Sequence, residues 1–294
     1  MQKIIPHLWY DKEAKEAAAF YSGLFEQSKI LKTIVLEDNP SGDSYLVSFE
    51  LAGQEFMAIS AGPYFKFNPS MSLMVMCDTV EEVNVKWQAL SENGTALMPL
   101  AVYPFSKWYG WIQDRYGLSW QLMLAEGKRS GQKIQVSLLF SKDSNGKAGE
   151  ALHYYMEIFK DAEIVAMVVY EEGEAVSPKA KIKYTSFKLF GMEFSAMDHG
   201  YDADFTFNEA FSLIVNCKDQ AEIDYYWEKL SAVPEAENCG WLKDKFGVSW
   251  QIVPENMGEL LSSGTKDEIK RVTEAILKMK KLDIALLEKA KLGI

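Results

Sequence analysis

The chain repeats itself once, in order, along almost its whole length. Tyr21-Ser-Gly-Leu-Phe25 returns as Tyr155-Met-Glu-Ile-Phe159, and Gly53-Gln-Glu-Phe56 returns as Gly191-Met-Glu-Phe194. Phe67-Asn68 matches Phe207-Asn208, and Ser72-Leu73 with Cys77 matches Ser212-Leu213 with Cys217. Gly110-Trp111-Ile-Gln-Asp114-Arg-Tyr-Gly117-Leu-Ser119-Trp120-Gln121 becomes Gly240-Trp241-Leu-Lys-Asp244-Lys-Phe-Gly247-Val-Ser249-Trp250-Gln251. Ser72 answers Ser212 at a spacing of 140, and Gly110 answers Gly240 at 130, so the copies differ by short loop insertions. A period this long is a duplicated domain, because solenoid repeats run to about 20–50 residues and single domains to about 100–150. The 294 residues therefore divide into expected domains at 1–125 and 133–256, a polar linker at 126–132 and an extension at 257–294.

Within copy one, Lys3 to Tyr10 reads as a strand and Asp11 to Phe25 as a helix, with Asp11 as its cap and Ala14, Ala17, Ala18, Tyr21 and Phe25 at helical spacing. Strands follow at 29–37, 43–51 and 54–61, turned at Asn39-Pro-Ser-Gly42 and Ala52-Gly53. The order then restarts with a strand at 70–77, a helix at 79–92, an indistinct segment at 96–105 and a hairpin over 107–113 and 118–124. Each copy is thus two βαβββ units, and a pair of such units closes a curved mixed sheet whose concavity is the expected place for a ligand. After Thr265, with the spacing of a capping box to Glu268, the apolar positions Ile269, Val272, Ile276, Met279, Leu282, Leu286 and Ala290 predict one amphipathic helix of about 24 residues. It is expected to pack over the domains or a partner chain, because Glu268, Glu274, Asp283 and Glu288 offset its lysines and disfavour a membrane surface.

Composition narrows the function. A formal charge of -11 repels a phosphate backbone, and no basic stripe overcomes it, so neither nucleic acid nor an anionic membrane is an expected partner. No apolar run approaches the ~20 residues of a bilayer span and the N-terminus lacks a signal core, which together point to the cytoplasm. Three cysteines without a CxxC pair read as buried thiols.

The stretch from Phe205 to Cys217, then Glu222 to Leu230, then Cys239 to Pro254, resembles the PhnB-like branch of the vicinal oxygen chelate superfamily, which holds glyoxalase I, extradiol dioxygenases and the bleomycin- and fosfomycin-resistance proteins. The tail from Lys270 to Leu287 is similar to the helical extension of many such proteins. The resemblance implies an α+β fold of tandem vicinal oxygen chelate domains, and a chain whose two copies meet as an intramolecular pseudo-dimer, with a homodimer as the other arrangement. Some relatives carry a demethylubiquinone methyltransferase label. A Rossmann-type methyltransferase needs a glycine-rich turn after its first strand, where this chain runs Asp11-Lys-Glu-Ala-Lys-Glu-Ala-Ala-Ala-Phe20, so that label is not expected to apply.

Metal-dependent relatives hold a divalent ion with four side chains, from the first, fourth, fifth and eighth strands of a domain. Here those positions offer His7 or Pro6 on the first strand, depending on register, with Ser137 as the counterpart of His7. On the fourth strand Phe56 to Ser60 and Phe194 to Met197 offer no carboxylate or imidazole, the fifth has Ser72 and Ser212, and the eighth has Gln121 and Gln251. No cofactor is expected, and a divalent metal would have to begin from His7 and Gln121. The candidate ligand-binding residues are His7, Trp9, Ser72, Trp111 and Gln121, with Ser212, Trp241 and Gln251. Alternation along a strand puts Ser119 and Gln121 on one face and Trp120 on the other, and the resemblance puts the glutamine side in the cleft. Asp114 and Asp244 read as turn residues. The expected function is a small-molecule binding protein of the glyoxalase and bleomycin-resistance type with degenerate metal sites. The alternative is a metal-dependent lyase, isomerase or dioxygenase.

Overall fold

The computed structural model describes residues 2–36, 44–127 and 131–294. The expected turn at Asn39 to Gly42, and the centre of the linker at 128–130, lie outside these residues. Copy one folds as β1 (Ile4–Tyr10), α1 (Ala14–Leu24), β2 (Lys29–Leu36), β3 (Ser44–Leu51) and β4 (Gln54–Ser60), then β5 (Met71–Cys77), α2 (Val80–Ser91), β6 (Thr95–Tyr103), β7 (Ser106–Gln113) and β8 (Ser119–Leu124). Copy two gives β9 (Ile134–Phe140), α3 (Ala148–Ile158), β10 (Glu163–Val169), β11 (Ile182–Leu189) and β12 (Met192–Asp198), then β13 (Phe211–Cys217), α4 (Gln220–Leu230), β14 (Trp241–Lys243) and β15 (Ser249–Pro254). The indistinct segment of copy one is the strand β6, whereas copy two has a 3-10 turn at Pro234–Ala236 in its place. That replacement leaves the fourth unit with three strands.

These strands form two mixed sheets, ordered β14-β15-β13-β1-β4-β3-β2 and β10-β11-β12-β9-β5-β8-β7-β6. The sequence suggested that the two units of one copy make one sheet. The structure exchanges them: the first sheet joins the opening unit of copy one to the closing unit of copy two, and the second sheet joins the other two units. The seams are antiparallel pairs, β1 with β13 and β5 with β9, so the copies meet within one chain. One core unites both sheets with α1–α4. Leu8, Phe56 and Leu213 from the first sheet and Val136, Leu73 and Phe194 from the second belong to it.

Buried carboxylates hold this core together. Asp114 Oδ1 accepts from the backbone N–H groups of Tyr116 and Leu118, which fixes the turn as expected. Its Oδ2 accepts from Trp120 Nε1 at 2.9 Å and from the Tyr21 hydroxyl of α1 at 2.6 Å. Asp244 repeats the pattern with Phe246, Val248, Trp250 and Tyr155. Each hub ties a helix packed on one sheet to a hairpin of the other, which is why Tyr, Asp and Trp recur together. Burial pushes both carboxyls up, against the donors that favour their ionised form. Gly110 is required by packing: a Cβ there would stand 2.4 Å from Cζ3 of Trp87, whereas its counterpart Gly240 has a φ of +87° and faces Leu282.

Three local expectations change. Asp11 does not cap α1; the helix starts at Ala14, whose N–H donates to Ser60 Oγ across 46 residues of chain. The tail is helical but broken, into α5 (Met257–Leu260), α6 (Lys266–Ile276) and α7 (Ile284–Leu292). The capping box at Thr265 and Glu268 is present, and Asp283 caps a fresh helix by accepting from Leu286. Between α6 and α7 the carbonyls of Met279 and Lys280 accept from Cys239 and Gly240, so this stretch of backbone bonds to the domain edge instead of continuing a helix. Cys77 and Cys217 are buried thiols, whereas Cys239 is half-buried.

Candidate functional site

Each sheet has a face towards α1–α4 and a far face. On β1 the alternation sends Ile4, Leu8 and Tyr10 into the common core, and Ile5, His7 and Trp9 to the far face. His7, and not Pro6, therefore shares the far face with Ser212 and Gln251. His7 stands opposite Ser212 on β13 and Met57 on β4. Its Nδ1 lies 3.4 Å from Ser212 Oγ, which also accepts from Gln251 Nε2 at 3.0 Å. Trp241 meets the imidazole edge to face at 5.4 Å between ring centres, and Trp9 meets Trp241 at 6.0 Å. Trp9 is oriented by donating from Nε1 to the carbonyl of Gly62. His7 is 2% exposed, and burial pushes its imidazole down to about 3, so the ring is neutral at ordinary pH.

The far face of the second sheet carries the counterpart set. Gln121 Nε2 donates to Ser72 Oγ at 2.8 Å and reaches Ser137 Oγ at 3.4 Å, while its Oε1 accepts from the Tyr109 hydroxyl at 2.7 Å. Trp111 Nε1 donates to Ser119 Oγ at 2.6 Å. All eight candidates thus stand on far faces: Ser72, Trp111 and Gln121 on one, and His7, Trp9, Ser212, Trp241 and Gln251 on the other. His7 and Gln121, paired as possible metal ligands, lie on different sheets. The glutamine near His7 is Gln251, from the other copy, because the units are exchanged. Tyr109 was not singled out from sequence, since its repeat counterpart is Cys239 and comparison of the copies hides it. The alternation two residues before Trp111 was the available signal. His153 and His199 belong to neither cluster, their Nδ1 atoms engaged with the backbone of Gly149 and Tyr201.

A resident divalent ion needs several anionic or imidazole ligands. Around His7 the first far face offers one imidazole, a hydroxyl, an amide and the thioether of Met57; around Gln121 the second offers hydroxyls and an amide, with the Glu193 carboxylate farther along the face beside Gln135. Among the described residues no group of three or more His, Cys, Asp or Glu is placed to hold a metal. The residues at the superfamily's metal position do not fit the ion.

Two mixed sheets built from βαβββ units and joined through their central strands define a glyoxalase-like fold of the vicinal oxygen chelate type. Glyoxalase I from Zea mays shares it at 12% identity, with 88% of this chain and 96% of that one covered and a TM-score of 0.52. A mutant of the same maize enzyme gives 13%, 86%, 94% and 0.53 for the same quantities. A PhnB protein from Bacillus cereus is 43% identical over 42% of this chain and 100% of its own, with a TM-score of 0.40. No curated protein matches the sequence. The chain belongs to the PhnB-like family whose model is described as 3-demethylubiquinone-9 3-methyltransferase, and it matches that model twice, over residues 2–123 and 132–253. Among the described residues no helix is long and apolar enough to cross a membrane.

Proposed function

We propose that the protein binds a small molecule in the manner of the glyoxalase and bleomycin-resistance proteins, without a catalytic metal. The observation that carries this reading is the glutamine fixed on a serine beside a half-buried tryptophan, which occurs on both far faces: Gln121 on Ser72 beside Trp111, and Gln251 on Ser212 beside Trp241. Such a set orients a partly apolar, partly polar ligand through neutral hydrogen bonds and an aromatic wall. The imidazole that neighbours the Ser212 hydroxyl, His7, is a weak base, because burial holds it down to about 3. The methyltransferase activity in the family's description is not part of this reading, because the sheets are mixed and β1 leads into α1 without a glycine-rich turn.

Elemental analysis of protein purified without chelators tests the metal half of the reading. The expected result is no stoichiometric metal in the wild type. A stoichiometric ion that is lost in His7→Ala would instead make the protein a metal-dependent lyase, isomerase or dioxygenase. Thermal-shift screening tests the binding half, since a ligand at 100 times its dissociation constant stabilises the fold by about 2.7 kcal/mol.

A further inference from the structure

A strand at the end of a sheet leaves one row of backbone N–H and C=O groups unpaired, and folded proteins shield such edges with lysines, prolines, short strands or a covering element. Of the four strands that end the two sheets, three are shielded in this way. β14 has three residues and abuts the tail, whose Met279 and Lys280 carbonyls accept from Cys239 and Gly240 just before it. β6 carries Pro99 in its middle, which has no N–H to offer, and its register with β7 shifts three times. β2 carries Lys29 and Lys32, the second donating to Ser262 of the tail, and the tail cluster covers its Ile34.

β10 is the fourth, and all seven of its residues are exposed. Ile164-Val-Ala-Met-Val-Val169 contains no charge, and Glu163 before it is paired with Lys188 of β11 at 2.7 Å. Duplication supplies the control, because β2 and β10 are the same strand in the two copies. Each has an isoleucine followed by a register shift against its neighbour, Ile30 opposite Phe49 and Ile164 opposite Phe187. Counting from those isoleucines, Lys32 becomes Ala166 and Ile34 becomes Val168. The lysine is gone and the tail cluster does not reach the strand, so Val168 is 50% exposed where Ile34 is 9%. Val165 and Val169 are more than half exposed as well. The result is one edge with both a bare ladder and an apolar surface.

We propose that β10 docks the β10 of a second copy of this chain, the two pairing antiparallel about a two-fold axis at Ala166. That register sets Val165 against Met167 and Ile164 against Val168 on both sides of the axis, apolar on apolar, and brings Glu163 against Val169 instead of a like charge. A second copy is the occupant that the edges select. Its other three edges are shielded, so β10 finds its complement only in β10, which closes the assembly at two chains and leaves no open filament. The contact doubles the eight-stranded sheet and is separate from the seams of β1 with β13 and β5 with β9, which join the halves within one chain. A ladder this short spans about 20 Å. It belongs with the small, transient interfaces, so the dimer forms and parts with concentration.

Sedimentation velocity on the full chain, from low micromolar to several hundred micromolar, tests this with Ala166→Lys and Ala166→Glu, two changes at an exposed position of which the first copies the lysine of β2. The wild type is expected to pass from monomer to dimer as its concentration rises. Each variant sets like charges against each other across the axis and is expected to raise the dissociation constant by about tenfold or more. An equal mixture of the two regains the dimer, because opposite charges then meet, and Val35→Lys on β2 leaves dimerisation unchanged. Amide exchange in the wild type gives a reading independent of the variants: the N–H groups of β10 are expected to slow as the dimer fills, and those of β2 to keep their rates. A wild type that stays monomeric over the whole range overturns the proposal, as does growth beyond two chains. A dimer that Ala166→Lys leaves intact, or that Val35→Lys disrupts, or in which β10 exchange does not slow, places the contact elsewhere and also overturns it. Failure of the mixture to recover, with Val35→Lys dimerising normally, refutes the axis at Ala166.

Discussion

His7 offers a direct test of the first far face. The ring is enclosed by Ser212, Met57 and Trp241, and its pKa lies near 3 against 6.5 for an exposed histidine. Unfolding therefore takes up a proton as the pH drops. The stability this neutral ring contributes is complete above about pH 6.5 and is lost progressively until about pH 3, over a full span of roughly 5 kcal/mol. Between pH 7 and pH 5 alone the loss is about 2 kcal/mol. Asp114 and Asp244 act in the opposite sense, because their raised carboxyl pKa values let the folded state hold protons more readily. Urea unfolding of the wild type and of His7→Gln at both pH values removes that contribution, since both proteins share the carboxylates. The wild type should lose about 2 kcal/mol more than the variant over this interval. A difference below about 0.5 kcal/mol, within the error of extrapolation, or a His7 Cε1 resonance titrating near 6.5, would refute the enclosed neutral ring.

Three further outcomes follow from the packing. Tyr155→Phe and Tyr21→Phe each remove a hydrogen bond to a buried carboxylate and should cost about 1.5–3 kcal/mol in urea unfolding; near-neutral values would mean the hubs are incidental. Leu282→Ala, in the tail cluster and against Gly240, should cost roughly 2–5 kcal/mol and speed amide exchange in α6 and α7 while β1 stays protected. Uniform exchange across the chain would show that the tail is not a separable layer. Gly110→Ala should destabilise by about 1–3 kcal/mol through overpacking, and Trp87→Phe should recover part of it; a neutral Gly110→Ala would deny the close approach of the ring.

The unit order was legible because the signals were local and written twice. Helix spacing, turn glycines and the strand-borne Ser-Trp-Gln triplet each appear in both copies, so chance agreement was excluded without any tertiary knowledge. That Gln121 and Trp120 face opposite ways followed from strand alternation. What the sequence did not disclose were long-range choices. Whether β1 pairs with β5 or with β13 leaves the same apolar pattern on β1, so the exchange of units left no trace, and His7 was matched with the wrong glutamine. The break after Ile276 was equally hidden: the apolar spacing through Met279 and Leu282 continues, but the carbonyls there bond to Cys239 and Gly240.

The exchange of units has a consequence for how such a protein can change over evolutionary time. After a gene duplicates, the usual expectation is that one copy keeps the old task while the other is free to drift. Here neither copy owns a far face. A substitution at His7 alters a surface completed by Ser212 and Gln251, and one at Ser137 alters a surface completed by Ser72 and Gln121. The part free to diverge is half a copy, and one new specificity requires two halves from different copies to change together: the first and last units for one face, the two middle units for the other.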